Sequence, residues 1–204
     1  MACCGQRPRR PVRETGVAIV EDRATIRESV ALLIGSATGF RCVGSYASME
    51  EALDRIDPRE TDVVLVDLVL PGMSGAEGIR HLRERCPDAS AVVFTVYDDD
   101  ERVFDALCAG ALGCLPKKTA PRVLLETIGV VAAGGAAPMP PEAARRILGL
   151  LERPDEIRLT ELLAAGHNHE TAARELGSTP ESVGRLARSV YERLHAAFRT
   201  KSVR

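Results

Sequence analysis

The sequence lacks the features that mark several classes of protein. Its six cysteines form no Cys-x-x-Cys pair and have no spacing with histidine that suits a zinc site. It contains no apolar stretch of 18 residues and no signal-peptide core. We therefore expect a cytoplasmic protein with reduced thiols.

A strong charge of one sign is also missing. Residues 16–131 carry 12 basic and 19 acidic side chains, whereas residues 142–204 carry 11 basic and 9 acidic ones. An acidic first part and a weakly basic end suggest that the C-terminal part faces nucleic acid, although an excess of two charges is a weak electrostatic signal. Residues 1–15 form a basic tail interrupted by proline, for which we expect disorder, with a phosphate-binding arm as the alternative.

What the sequence does contain is a series of short apolar runs. Four runs of four or five residues, separated by amphipathic stretches, are typical of buried parallel strands joined by crossover helices. They cover residues 16–20, 62–66, 91–94 and 111–115. Right-handed crossovers place the carboxyl ends of all such strands along one edge, where open α/β sheets bind ligands.

Five polar residues follow these runs and are predicted to meet at that edge. They are Glu21, Asp22, Asp67, Thr95 and Lys117. Three carboxylates in contact repel by roughly 4 kcal/mol per pair at an effective dielectric of ~20, so the site calls for a cation, and Mg²⁺ suits carboxylate ligands. With a lysine and a hydroxyl to hold a phosphoryl group, the set predicts phosphoryl transfer to Asp67.

These positions resemble the receiver domain of two-component response regulators. The matching segments are Val20-Glu21-Asp22, Val66-Asp67, the loop from Leu70 to Gly75, Phe94-Thr95 and Leu115-Pro116-Lys117. The resemblance covers residues 16–133. It implies a flavodoxin-like, doubly wound parallel sheet of five strands.

The resemblance also implies roles for individual residues. Asp67 takes a phosphoryl group from a phosphohistidine on a partner sensor kinase. Asp22, Asp67 and the Val69 carbonyl bind Mg²⁺ directly, and Glu21 acts through water. Thr95 and Lys117 bind the phosphoryl group. The alternative is that these residues are ordinary strand-end caps and solvated carboxylates.

One position departs from the family. Three residues before Lys117, where the family usually has the Tyr or Phe of its switch, this chain has Cys114. A thiol cannot fill the same space as an aromatic ring. Tyr97 is the nearby aromatic residue that could replace it, and the alternative is a surface tyrosine in a loop.

A second domain is predicted after a break rich in glycine and proline. Residues 134–153 form a linker with a short amphipathic helix, and residues 154–204 form a helical domain. Glycines end its first two helices, at Gly166 and Gly177. Thr179 and Pro180 open a third helix that runs to about Leu194 and buries Val183, Ala187, Val190 and Leu194.

This second domain resembles the LuxR-type helix-turn-helix, and the whole chain resembles NarL/FixJ-class response regulators. In such proteins the third helix enters the major groove. By position, the residues expected to contact DNA are Ser182, Arg185, Arg188, Ser189, Arg193, Arg199 and Lys201. Gly184 stands where the family usually has Lys. His167 and His169 suit a solvated helix start better than a metal site.

Together these patterns predict a DNA-binding transcriptional regulator that is controlled by phosphorylation and dimerises when phosphorylated. The alternative is a degenerate helix-turn-helix that binds a protein partner instead of DNA. An aspartate-nucleophile phosphatase would need a second carboxylate two residues after Asp67, where this chain has Val69. No enzyme activity is therefore expected.

Overall fold

A computed structural model describes residues 14–96 and 99–199, with the side chain of residue 199 left aside. Its centre is a parallel five-stranded sheet with strand order β2-β1-β3-β4-β5. The strands are β1 (Thr15–Val20), β2 (Phe40–Tyr46), β3 (Val63–Val66), β4 (Ser90–Thr95) and β5 (Cys114–Pro116). This is the flavodoxin-like receiver fold that the sequence predicted.

Four strands overlap the four apolar runs, although β5 begins three residues later than its run, and β2 matches none of them. β2 lies at one edge of the sheet, and most of its residues are only partly buried. An edge strand has a neighbouring strand on one side only, so it is less buried than a central strand. Arg41, Gly44 and Ser45 are therefore tolerated in β2, and they interrupt its apolar pattern. The strand could not be recognised by the pattern that identified its neighbours.

Five helices cover the two faces of the sheet. They are α1 (Ala24–Ser36), α2 (Met49–Arg55), α3 (Gly75–Arg85), α4 (Asp100–Ala109) and α5 (Pro121–Ala132). Helices α1 and α5 pack on one face through residues such as Ile34 and Ile128. Helices α2, α3 and α4 pack on the other face through residues such as Met49, Ile79 and Leu107.

The C-terminal part is all helical, as predicted. Helix α6 (Pro141–Ile147) ends in a 3₁₀ turn, and α7 (Pro154–Ala164), α8 (His169–Glu175) and α9 (Pro180–Arg199) follow. Gly166 and Gly177 both have positive φ, which explains why α7 and α8 end there. Within the described residues, no helix is both long and apolar enough to cross a membrane.

The C-terminal helices pack directly against the sheet domain. Helix α9 contacts α4 and α5, and α6 contacts α4. Buried residues of α9, including Val190 and Tyr191, belong to the same apolar cluster as Leu107 and Cys114. The four residues predicted to form the buried face of the third helix are indeed buried. One continuous core therefore joins the two parts in this conformation.

Candidate functional site

The five polar residues predicted to converge do lie at the carboxyl ends of their strands. Asp67 follows β3, and its amide donates to the Val20 carbonyl at the end of β1 (3.0 Å). Thr95 is the last residue of β4, and its carbonyl accepts from the Lys117 amide (2.8 Å). The parallel ladder thus fixes the relative height of these side chains.

The three carboxylates form a compact acidic group. One oxygen from each of Glu21, Asp22 and Asp67 lies within 4.8 Å of the others. Glu21 and Asp67 are buried, and Asp22 is exposed. Burial raises the pKa of Glu21, and the Asp67 charge adds to that effect. One oxygen of Glu21, Oε2, is fully buried and faces the Lys117 ammonium. A hard cation would satisfy such a donor set, so these residues fit Mg²⁺.

Lys117 supplies the positive charge of the site. Its Nζ lies 2.8 Å from Asp67 Oδ2 and 2.5 Å from Glu21 Oε2. Burial works to lower the pKa of Lys117, but hydrogen bonds to Asp67 and Glu21 outweigh it, so the pKa is raised. The lysine is therefore charged at neutral pH and can form an ion pair with a negative group attached to Asp67.

Asp67 begins a loop whose shape depends on two glycines. The second Asp67 oxygen, Oδ1, accepts from the Leu68 amide (2.8 Å). Gly72 has φ +77°, and a Cβ on Gly75 would lie 2.3 Å from the Asp67 carbonyl oxygen. A side chain at Gly75 would thus displace the backbone of Asp67. The loop borders a cavity of about 260 Å³ lined by residues that include Val69, Thr95 and Arg102.

The residue that departs from the family pattern is enclosed. Cys114 is completely buried on β5. Tyr97, proposed as the aromatic replacement, lies outside the described residues, and so does Lys201. Val69 is exposed and lines the same cavity as Thr95.

The residues predicted to contact DNA have different environments in α9. Arg185 is exposed and donates to the hydroxyl of the half-buried Ser182 (2.9 Å). Arg188 pairs with Glu192 one turn along α9 (3.2 Å) and also donates to the Gly135 carbonyl in the segment after α5 (3.4 Å). Gly184 is buried against Val130 of α5. One side of α9 is therefore covered in this conformation.

Ser189 and Arg193 bind a buried glutamate. Glu156 of α7 is fully buried, accepts from the Ser189 hydroxyl (2.9 Å) and lies 2.5 Å from Arg193 Nε. Arg153 lies 3.6 Å from the same carboxylate. This network joins α7 to α9, and a buried carboxylate needs such partners. The sequence did not reveal that Glu156 organises two predicted DNA-contact residues.

Sequence reasoning also missed the side chains that seat α9 on the sheet domain. Tyr191 is fully buried and its hydroxyl lies 3.4 Å from the Pro138 carbonyl. The His195 Nε2 donates to the Ala111 carbonyl (3.1 Å), and Phe198 meets Phe104 of α4 edge to face. Tyr191 and His195 continue the buried stripe of α9, a signal that indicates burial but not the surface against which a residue packs.

Comparisons with known proteins agree with this geometry. Residues 17–129 match the family model of the response regulator receiver domain. The chain is 28% identical over 199 residues to the transcriptional regulatory protein YdfI of Bacillus subtilis, which covers 92% of each protein. It is 30% identical over 179 residues to the nitrate/nitrite response regulator protein NarL of Escherichia coli, covering 82% of this chain and 83% of NarL.

A solved structure gives the same result for the fold. A LuxR-family two-component response regulator from Aurantimonas sp. superposes with a TM-score of 0.56 at 33% identity, and the match covers 65% of this chain and 94% of that one.

Proposed function

The chain belongs to the NarL/FixJ-class response regulators and acts in transcription regulation, and from this premise we propose that phosphorylation of Asp67 controls DNA binding by α9. The observation that carries the proposal is the arrangement around Asp67. The buried Asp67 carboxylate lies beside the charged Lys117 and the acidic pair Glu21 and Asp22, and it can hold a phosphoryl group at one defined oxygen. We further propose a cytoplasmic location.

The phosphoryl transfer assigns a role to each residue of the site. An oxygen of Asp67 attacks the phosphorus of a phosphohistidine on a sensor kinase, the P–N bond breaks, and the imidazole leaves with the bonding electron pair and takes up a proton. Oδ1 is held by the Leu68 amide and Oδ2 by Lys117, so attack by Oδ2 requires Lys117 to transfer its hydrogen bond to the incoming phosphoryl group. Lys117 then pairs with a phosphoryl oxygen, and the Thr95 hydroxyl donates to another.

Mg²⁺ is the proposed cofactor. Asp22, Asp67 and the Val69 carbonyl would hold it, and Glu21 would act through water. When bound, the ion neutralises charge on the incoming phosphoryl group. The protein itself keeps the three carboxylates close together. Lys117 and the Arg23 amide, which donates to Glu21 (3.2 Å), reduce the repulsion between their negative charges.

DNA binding is proposed for the C-terminal helices, with α9 in the major groove of promoter DNA and dimerisation on phosphorylation. Arg185 is already exposed for this purpose, and Ser182 is half-buried beside it. Arg188 becomes available when α9 leaves α5 and the segment after it. Ser189 and Arg193, together with Arg199 and Lys201, complete the proposed contact set.

The test of the acceptor uses the full chain incubated with Mg²⁺ and acetyl phosphate. Intact-mass measurement should show one added phosphoryl group, which Asp67→Asn abolishes. Asp105→Asn, at an exposed aspartate of α4, is the matched control and should label like the unchanged protein. Stoichiometric labelling of the Asp67→Asn protein would contradict the assignment.

A further inference from the structure

The segment that follows α5 packs along the outer edge of β5. The Ala137 amide donates to the Leu112 carbonyl (2.8 Å), and the Cys114 amide donates to the Pro138 carbonyl (3.0 Å). Gly113, with φ +128°, permits this approach, because a Cβ there would lie 2.6 Å from Ala137 atoms. Ala136, Ala137 and Met139 are buried. The sheet edge at β5 is therefore closed by the chain itself.

Helix α9 covers this closed edge through its buried side. The Pro138 carbonyl, which accepts from the Cys114 amide, also faces the Tyr191 hydroxyl. One turn later, His195 binds the Ala111 carbonyl next to β5. The Cys114 amide and the Tyr191 hydroxyl thus meet at the same backbone oxygen, and both residues belong to one apolar cluster.

The contact between the Tyr191 hydroxyl and the Pro138 carbonyl is a weak one. At 3.4 Å it is longer than an ordinary O–H···O hydrogen bond. The ring is fully buried, and a tyrosine ring contributes mainly through its apolar area. The ring and Cys114 belong to the same buried apolar cluster.

From these contacts we propose that Tyr191 is the switch aromatic of this protein, carried by the effector helix instead of the receiver, and that it holds α9 closed over Cys114. The inference deepens the proposed function and rests on it in one respect, the release by phosphorylation. Lys117 follows Cys114 by three residues, and β5 is hydrogen-bonded to the Thr95 strand end. A phosphoryl group that draws Lys117 and Thr95 inward displaces β5 at the seat of the Tyr191 ring.

The thiol of Cys114 reports whether the ring is in place. The full chain would be treated with a thiol reagent under native conditions, and the labelling rate of each cysteine would be followed by peptide mass spectrometry. Cys86, buried at the end of α3, is the internal reference. The variants are Tyr191→Ala, Tyr191→Phe and Tyr46→Ala, the last removing a buried tyrosine from β2 at the opposite edge of the sheet.

Tyr191→Ala should label Cys114 about tenfold faster than the unchanged protein without accelerating Cys86, because a local opening exposes β5 alone. Tyr191→Phe should stay within about twofold, since the ring is retained. Tyr46→Ala should not increase the labelling rate of Cys114 relative to that of Cys86. Unchanged Cys114 labelling in Tyr191→Ala, or equal acceleration of both cysteines, would overturn the proposal.

Acetyl phosphate with Mg²⁺ separates this proposal from the proposed function. In the unchanged protein it should accelerate Cys114 as Tyr191→Ala does, and in Asp67→Asn it should have no effect. If Tyr191→Ala accelerates Cys114 but phosphorylated protein does not, the ring holds α9 closed and its release by phosphorylation is disproved. If no phosphoryl group is incorporated at all, the proposed function fails, whereas the claim that the Tyr191 ring holds α9 closed is still decided by Tyr191→Ala.

Discussion

Lys117 balances the charge of the acidic group, and its removal tests that balance. Lys117→Ala leaves Glu21 and Asp67 buried without their cation, a change that costs about 3 kcal/mol of unfolding free energy for a buried pair. Added Mg²⁺ should restore part of the loss. Urea unfolding with and without Mg²⁺ measures both effects. Lys118→Ala, at the exposed neighbouring lysine, should change stability little; equal stability of the two variants would contradict this account.

His195 makes the seating of α9 sensitive to acid. Burial, with the nearby charges of Arg83 and Arg188, lowers the pKa of His195 to about 4, against the opposing hydrogen bond to Ala111. Its neutral form is therefore the one that the folded protein holds. Stability should be unaffected above the ordinary histidine pKa of about 6.5 and fall as the pH drops from there toward 4, by at most about 1.4 kcal/mol per pH unit.

The contribution of His195 to the pH dependence of stability is measured by comparing the unchanged protein with His195→Gln. His195→Gln should lose less stability than the unchanged protein between pH 7.5 and pH 5, as measured by urea denaturation. His81→Gln, at a half-exposed histidine of α3, serves as the control and should keep the original dependence. Parallel curves for the unchanged and His195→Gln proteins would show that the histidine does not titrate in this range.

Helix α9 shows how a local substitution acts on a whole element. Gly184 lies inside α9, where a glycine costs about 1 kcal/mol of helix stability relative to Ala. A Cβ at this position would come within 3.3 Å of Val130. Gly184→Lys should therefore strengthen the helix and push it away from α5. We expect tighter DNA binding before phosphorylation, measured by fluorescence anisotropy on random-sequence duplexes.

Gly35 of α1 provides the matched control for this prediction. A Cβ at Gly35 would meet open space, so Gly35→Lys changes helix propensity and adds the same charge without affecting α9. It should leave DNA binding unchanged. If both variants bind DNA more tightly, added charge is responsible; if neither does, the contact with Val130 does not restrain α9.

The helices and strands also show which parts of the fold a sequence can predict. Buried central strands such as β3 are continuous apolar runs, and helix ends at Gly166 and Gly177 follow from backbone chemistry, so both were predicted closely. The edge strand β2 has no continuous apolar run. Helix α9 reaches Arg199, beyond the predicted end near Leu194, because no glycine or proline stops it.

In the whole molecule, the acidic site and α9 are joined through β5. The site could be predicted because its five residues sit at strand ends, whose common edge is fixed by topology. The packing of α9 on α4, α5 and β5 could not, because periodicity identifies the buried stripe of a helix but not its partner. Arg188 therefore looked exposed in the sequence, although it faces Gly135 in the structure.

The most direct measurement of the central claim is DNA binding before and after phosphorylation of the full chain. Duplexes would be selected from a random pool against protein treated with Mg²⁺ and acetyl phosphate, and their affinities measured by fluorescence anisotropy. Treatment should tighten binding of the selected sequence about tenfold, a change of 1.4 kcal/mol in binding free energy. Asp67→Asn should show no change. Failure to select any sequence, or equal affinity of treated and untreated protein, would contradict phosphorylation control of DNA binding.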